Sequence, residues 1–165
     1  MSLERLWAGW RTAYVSDPKT GRTDTDCVMC NLVESTDDRE ALVLERTPAT
    51  IAVMNLYPYG SGHLMVAPTR HAASLEDLDD NEVVEISRAQ VRALRAIRAA
   101  YAPDGVNVGI NIGRAAGAGV PGHLHVHLLP RWNGDTNFMT TVAEVRVLPE
   151  DLLTGYDKLK AAWPR

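Results

Sequence analysis

Apolar and polar positions along this chain follow two periods. Short apolar runs at 42–45, 50–55, 63–68, 106–112, 124–130 and 144–149, each bounded by turn residues, read as β-strands. Residues 80–101 carry the helical period instead. Val84, Val91, Leu94, Ile97 and Tyr101 are expected on one face, and Arg88, Arg92, Arg95 and Arg98 on a second, solvated one. Ser74-Leu75-Glu76-Asp77 is a helix-start signature, and Pro103-Asp104-Gly105 is a stop. Strands that come mostly in adjacent pairs around one main helix predict an α+β fold with an antiparallel sheet. Residues 16–26 and 34–40 read as polar loops, and 57–62 (YPYGSG) as a turn. With no internal repeat, 1–165 reads as one domain, with 1–26 as an arm (Trp7, Trp10, Tyr14) and loop.

Composition narrows the functional classes. Hydrophobic residues make up 45% and charged residues 23%, ordinary values for a globular chain. The net charge is −4, which argues against gripping a nucleic-acid polymer by bulk charge but leaves room for a local anion pocket. The N-terminus is interrupted by Glu4, Arg5 and Arg11, and no apolar run suits a signal peptide or a membrane span, so the expected location is the cytoplasm. The unusual feature is the set of soft ligands, two Cys and five His.

Three of those histidines alternate with apolar residues in His123-Leu124-His125-Val126-His127-Leu128. On a strand, alternate side chains share a face. The imidazoles are therefore expected on one face, with Leu124, Val126 and Leu128 in the core. Such a row suits metal ligation or acid–base and nucleophilic chemistry. It follows the loop Gly113-Arg114-Ala115-Ala116-Gly117-Ala118-Gly119-Val120-Pro121-Gly122, whose glycines allow backbone N–H groups to approach an anion. The loop matches neither the P-loop nor the dinucleotide-binding fingerprint. Cys27-Val28-Met29-Cys30 has zinc-ligand spacing but supplies only two ligands. Structural zinc, free thiols and a redox pair all remain open for it.

The segment His123–Leu129 resembles the histidine-triad (HIT) signature, three histidines alternating with apolar residues. Asn55-Leu56-Tyr57-Pro58 followed by Gly62-His63-Leu64-Met65-Val66 resembles that family's upstream segment. Leu6-Trp7 with Trp10-Arg11, and Pro130-Arg131-Trp132 with Gly134-Asp135 and Asn137-Phe138, are most similar to actinobacterial diadenosine tetraphosphate phosphorylases and related hydrolases. The resemblance implies an antiparallel sheet of about five strands with one long helix and a short C-terminal helix, paired as a homodimer. It also implies a nucleotide substrate attacked at its α-phosphorus by His125. His127 would stabilise phosphate oxygens or the departing group, and His63 would support the site. Asn55 and Asn111 would hold ribose or phosphate, with Gly117, Ala118 and Gly119 at the phosphates. Where relatives carry a polar side chain in that loop, this chain has Ala118. By the same resemblance Cys27, Cys30, His71 and His123 would hold one structural zinc, and no organic cofactor is implied.

Two other readings stand beside that one. The histidine row could ligate a catalytic zinc carrying a water. Alternatively, the chain could be a nucleotide-binding dimer without turnover.

Overall fold

The computed structural model describes residues 27–136 and 150–164. The chain runs through α1 (Val28–Glu34), β1 (Val43–Arg46), β2 (Thr50–Met54), β3 (Leu64–Pro68), a 3-10 turn (Leu75–Asp77), α2 (Asp80–Tyr101), β4 (Gly105–Ile110), a 3-10 turn (Arg114–Ala116), β5 (Val126–Arg131) and α3 (Leu152–Ala162). The five strands form one sheet in the order β1-β2-β3-β5-β4, and every neighbouring pair is antiparallel. This is the expected α+β arrangement, with the long helix and the C-terminal helix in place. The arm 1–26 and the expected strand 144–149 lie outside the described residues.

β2 and β3 are buried along their whole length, and α2 packs across β2, β3 and β5. The buried face of α2 differs from the expected one. It consists of Ile86, Ala89, Ala93, Ala96 and Ile97, while Val84 and Val91 are each 46% exposed. At 100° per residue the buried five span a stripe about 100° wide, and Val84 and Val91 lie opposite it. The reason is size. Alanines weigh little in a hydrophobic pattern, but three in a row let the helix axis approach the sheet closely. The arginine face is also less uniform than expected. Arg92 pairs with Glu45 of β1 at 2.7 Å, half-buried, and Arg88 pairs with Glu85.

Both ends of α2 are set locally. Asp79 Oδ1 accepts from the Glu82 amide at 2.9 Å, and Glu82 Oε2 accepts from the Asp79 amide at 3.0 Å. Such a capping box is worth about 1 kcal/mol. Ala102 closes the helix in the left-handed region at φ 43°, and its amide donates to the Arg98 carbonyl. The Ser74 signature caps the separate 3-10 turn ahead of the helix rather than the helix itself.

Candidate functional site

The site is assembled where β3, β4 and β5 meet. Pairing of Met65 with His127 and of Ile110 with Val126 brings three segments distant in sequence to one end of the sheet. These are the turn before β3 carrying His63, the residues after β4 carrying Asn111, and the approach to β5 carrying the histidines. β5 begins at Val126, so His123 and His125 lie just ahead of the strand and not within it. Leu124, Val126 and Leu128 are buried as expected, but His123 and His125 are buried too, at 1% and 4% exposure. His123 and His125 therefore face inward, while His127 is partly exposed.

Hydrogen bonds with an unambiguous donor or acceptor determine which nitrogen of each ring carries the proton. The Tyr59 amide donates to His63 Nδ1 at 3.0 Å, so that nitrogen is bare and the His63 proton sits on Nε2. His63 Nε2 then donates to His127 Nδ1 at 3.0 Å, which leaves the His127 proton on Nε2. His125 Nδ1 donates to the His123 carbonyl at 2.8 Å, so its Nε2 holds a free lone pair. His123 Nε2 donates to the Pro68 carbonyl at 2.9 Å, and its Nδ1 is bare. Main-chain groups thus begin each chain of bonds. The rings pack tightly, with His125 and His127 centroids 4.9 Å apart and the Tyr59 ring 4.5 Å from His63.

Burial favours the neutral form of three of these rings, His123, His125 and His127. Burial lowers the pKa of His125 below the ordinary histidine range despite its bond to the His123 carbonyl. Burial, and then the neighbouring His125, push His127 down to about 4. Burial lowers His123 as well. At neutral pH the site offers one bare imidazole nitrogen at His125 and one N–H donor at His127.

The His123 ring belongs to a second cluster. Its Nδ1 lies 3.4 Å from Cys27 Sγ and 3.6 Å from Cys30 Sγ, and His71 Nδ1 lies 3.3 Å from Cys30 Sγ. All four ligand atoms fall within 4.8 Å of one another. A tetrahedral ion at ordinary zinc–sulfur and zinc–nitrogen lengths would separate S and N by about 3.5 Å, so this donor set fits a metal. The Pro68 carbonyl supplies the outer hydrogen bond that a ligating histidine normally makes. Burial, and then the Cys27 thiol, push the Cys30 thiol up to about 11. Among the described residues the metal-suited group excludes His125 and His127.

Asn55 and Asn111 both adjoin the site. Asn55 Oδ1 accepts from the Tyr57 amide at 3.0 Å, and its Nδ2 is 3.4 Å from His63 Nδ1. Asn111 Nδ2 donates to the Gly117 carbonyl at 3.3 Å, anchoring the glycine loop. The loop spends two of the three expected anion donors on itself. The Gly117 amide donates to the Arg114 carbonyl and the Ala118 amide to that of Gly113. The Gly119 amide has no partner among the described residues. Sequence reasoning gave no role to the Tyr59 amide or the Pro68 carbonyl. Nothing in the identity of a residue reveals where its backbone points after folding.

The HIT domain profile matches residues 36–134. The chain belongs to the HIT domain family. Among HIT proteins it is 38% identical to the AP-4-A phosphorylase of Mycobacterium tuberculosis over 99% of this chain and 86% of that protein. It is 34% identical to the asymmetrical bis(5'-nucleosyl)-tetraphosphatase of Schizosaccharomyces pombe over 56% of this chain and 50% of that one. A zinc-bound histidine triad family protein from Mycobacterium smegmatis superposes with a TM-score of 0.68 at 29% identity, covering 85% of this chain and 94% of that one. Within this HIT chain, His123, His125 and His127 are the family's alternating histidines. Their surroundings differ: His123 faces the cysteines, His127 bonds to His63, and His125 meets the His127 ring edge-on.

Proposed function

We propose that this HIT protein is a nucleotide-processing enzyme that cleaves dinucleoside polyphosphates such as diadenosine tetraphosphate, or nucleoside phosphate conjugates, through a nucleotide carried on His125. The observation that carries this reading is the His125 hydrogen bond. Nδ1–H is held by the His123 carbonyl, so Nε2 presents a lone pair inside a buried site. The names of the two enzyme relatives support the same substrate class.

In the first step the His125 Nε2 lone pair forms a bond to the α-phosphorus, and the bond from that phosphorus to the bridging oxygen breaks. The electrons leave with the outgoing phosphate. The imidazole becomes a cation whose Nδ1–H is stabilised by the His123 carbonyl. His127 Nε2–H donates to the bridging oxygen as charge builds there. His63 holds His127 in that tautomer. In the second step the oxygen of water or phosphate bonds to phosphorus, the P–N bond breaks, and its electrons return to Nε2. A water proton passes to solvent. Asn55 would hold ribose hydroxyls, Asn111 the ribose or a phosphate, and the Gly119 amide a phosphate oxygen, with Gly117 and Ala118 shaping the loop around it.

Zinc suits the second cluster. Cys27, Cys30, His71 and His123 would hold one ion per chain in a closed structural site, tying the start of α1 to the approach to β5. Four protein ligands leave no position for a reactive water, which favours this over a zinc-water hydrolase. Paired thiols serving a metal fit a reducing cytoplasm. A homodimer fits β4, which pairs with β5 alone among the described residues and where Val108 is 45% exposed, and the outward Val84 and Val91 of α2. The whole chain would act as one domain.

The deciding experiment is product analysis on diadenosine tetraphosphate, with and without phosphate, for the wild type and His125→Ala. ADP plus ATP marks phosphorolysis, and AMP plus ATP marks hydrolysis. The variant is expected to fall below about 1% of wild-type activity, since losing a nucleophile costs far more than that. Activity above that level overturns the covalent role.

A further inference from the structure

Gly62, immediately before His63, holds a left-handed φ of +70°. A Cβ at that position would come within 2.6 Å of Tyr101 Cε2 and 3.1 Å of Pro130 Cγ. The Tyr101 ring, on the last residue of α2, thus rests directly on the backbone of the turn that delivers His63. Gly155 of α3 makes a second close approach. A Cβ there would lie 3.1 Å from the Tyr101 hydroxyl and 3.3 Å from Glu150 Oε1. Two positions without side chains therefore frame one aromatic ring.

The ring is also tethered. Its hydroxyl donates to Glu150 Oε1, and Lys158 Nζ of α3 donates to Glu150 Oε2 at 2.5 Å. The same Nζ sits 5.6 Å from the ring centroid, and Trp132 meets the ring edge-on at 6.1 Å. Burial, and then the bond to Glu150, raise the Tyr101 pKa, so the hydroxyl remains a donor.

We infer that Tyr101 is a positioning residue for His63, setting the depth of the turn before β3 through its ring and holding that ring through Glu150 to the C-terminal helix. This rests on the reading of His63 and His127 as site residues. His63 uses both ring nitrogens, each in a bond of 3.0 Å, to Tyr59 and to His127. Shifting the turn by about 1 Å would break both bonds, and displacements of that size can cost a large factor in rate. With those bonds gone, His127 is free to hold its proton on either nitrogen.

The test uses the full chain carrying Tyr101→Leu, which removes the wedge, and Tyr101→Phe, which keeps it and removes the tether. Nitrogen-15 shifts of the imidazole rings report the tautomers without substrate. Wild type is expected to show Nε2–H for both His63 and His127. Tyr101→Leu should average those signals and lower kcat on diadenosine tetraphosphate at least about tenfold with KM within about twofold, and Tyr101→Phe should recover most of both. Unchanged tautomer signals in Tyr101→Leu, or a loss of thermal stability alone, overturn the inference. Should Tyr101→Leu fail to fold, Tyr101→Met, which also removes the ring but keeps a long apolar side chain, decides. Averaged His63 and His127 signals support the role of Tyr101, and wild-type signals overturn it. The ring signals need no turnover, so failure of the nucleotidyl-histidine reading, which His125→Ala would show, is distinguishable from failure here.

Discussion

His63 Nε2 donates to His127 Nδ1 across 3.0 Å, and the direction of that bond is imposed by the Tyr59 amide on the far side of the His63 ring. A main-chain N–H can only donate. Two side chains of ambiguous protonation thereby acquire one arrangement, and the donor side of His127 is left for a ligand.

Replacing His63 with Ala removes the group that fixes the His127 proton. The expected outcome is a loss of roughly 10²-fold in kcat on diadenosine tetraphosphate, with the fold retained by circular dichroism. A change below about threefold would mean that His127 is held by something else.

The pH dependence follows from His127, whose ordinary value of 6.5 is lowered to about 4 in the folded protein. As pH falls, the unfolded chain takes up this proton first, so the contribution to stability is complete above 6.5 and is lost progressively toward 4. Melting temperatures measured across that window should fall more steeply for wild type than for His127→Gln. Parallel curves would contradict the shift.

Metal removal should act on both stability and activity, because His123 serves the cluster through its ring and His125 through its carbonyl. A strong chelator is expected to release one zinc per chain and lower Tm by about 5 °C or more, and Cys27→Ser should reproduce this. Prompt loss of activity with Tm unchanged would instead indicate a catalytic ion.

The two left-handed positions at either end of the Tyr101 region should respond in opposite directions. Ala102→Gly relieves a strained φ of 43° and should stabilise the chain by about 0.5–1 kcal/mol. Gly62→Ala forces a Cβ against the Tyr101 ring and should destabilise it by about 2 kcal/mol or more. Chemical denaturation measures both.

Light scattering tests the pairing of chains. Wild type should show twice the mass of the 18.1 kDa chain, and Val108→Asp on the β4 edge should shift it toward one. A monomeric wild type would overturn the dimer.

Several parts of the site were legible in the residues themselves. The alternation from His123 to Leu128, the Gly62-His63 pair and the Cys27–Cys30 spacing each carry a short-range period or separation that survives folding. The extent of α2 was legible from its helical period and the Pro103-Asp104-Gly105 stop, while the start signature at Ser74 belonged to the 3-10 turn before it. The buried face of α2 was not, since Ala89, Ala93 and Ala96 acquire their importance only against a sheet lying close by. Nor was the commitment of the Gly117 and Ala118 amides to their own loop, which depends on backbone angles that the residue names do not specify.

The sequence alone determined the inventory: α+β elements, the family's three histidines, an upstream histidine, and a cysteine pair needing two more ligands. Tertiary structure decided how that inventory is divided. Antiparallel pairing of β3 with β5, strands 58 residues apart from Pro68 to Val126 in the chain, places His63 against His127 and the Pro68 carbonyl against His123. Which imidazole nitrogen holds a proton depends on which carbonyl or amide faces it. Those partners come from distant segments, so chain order carries no trace of them.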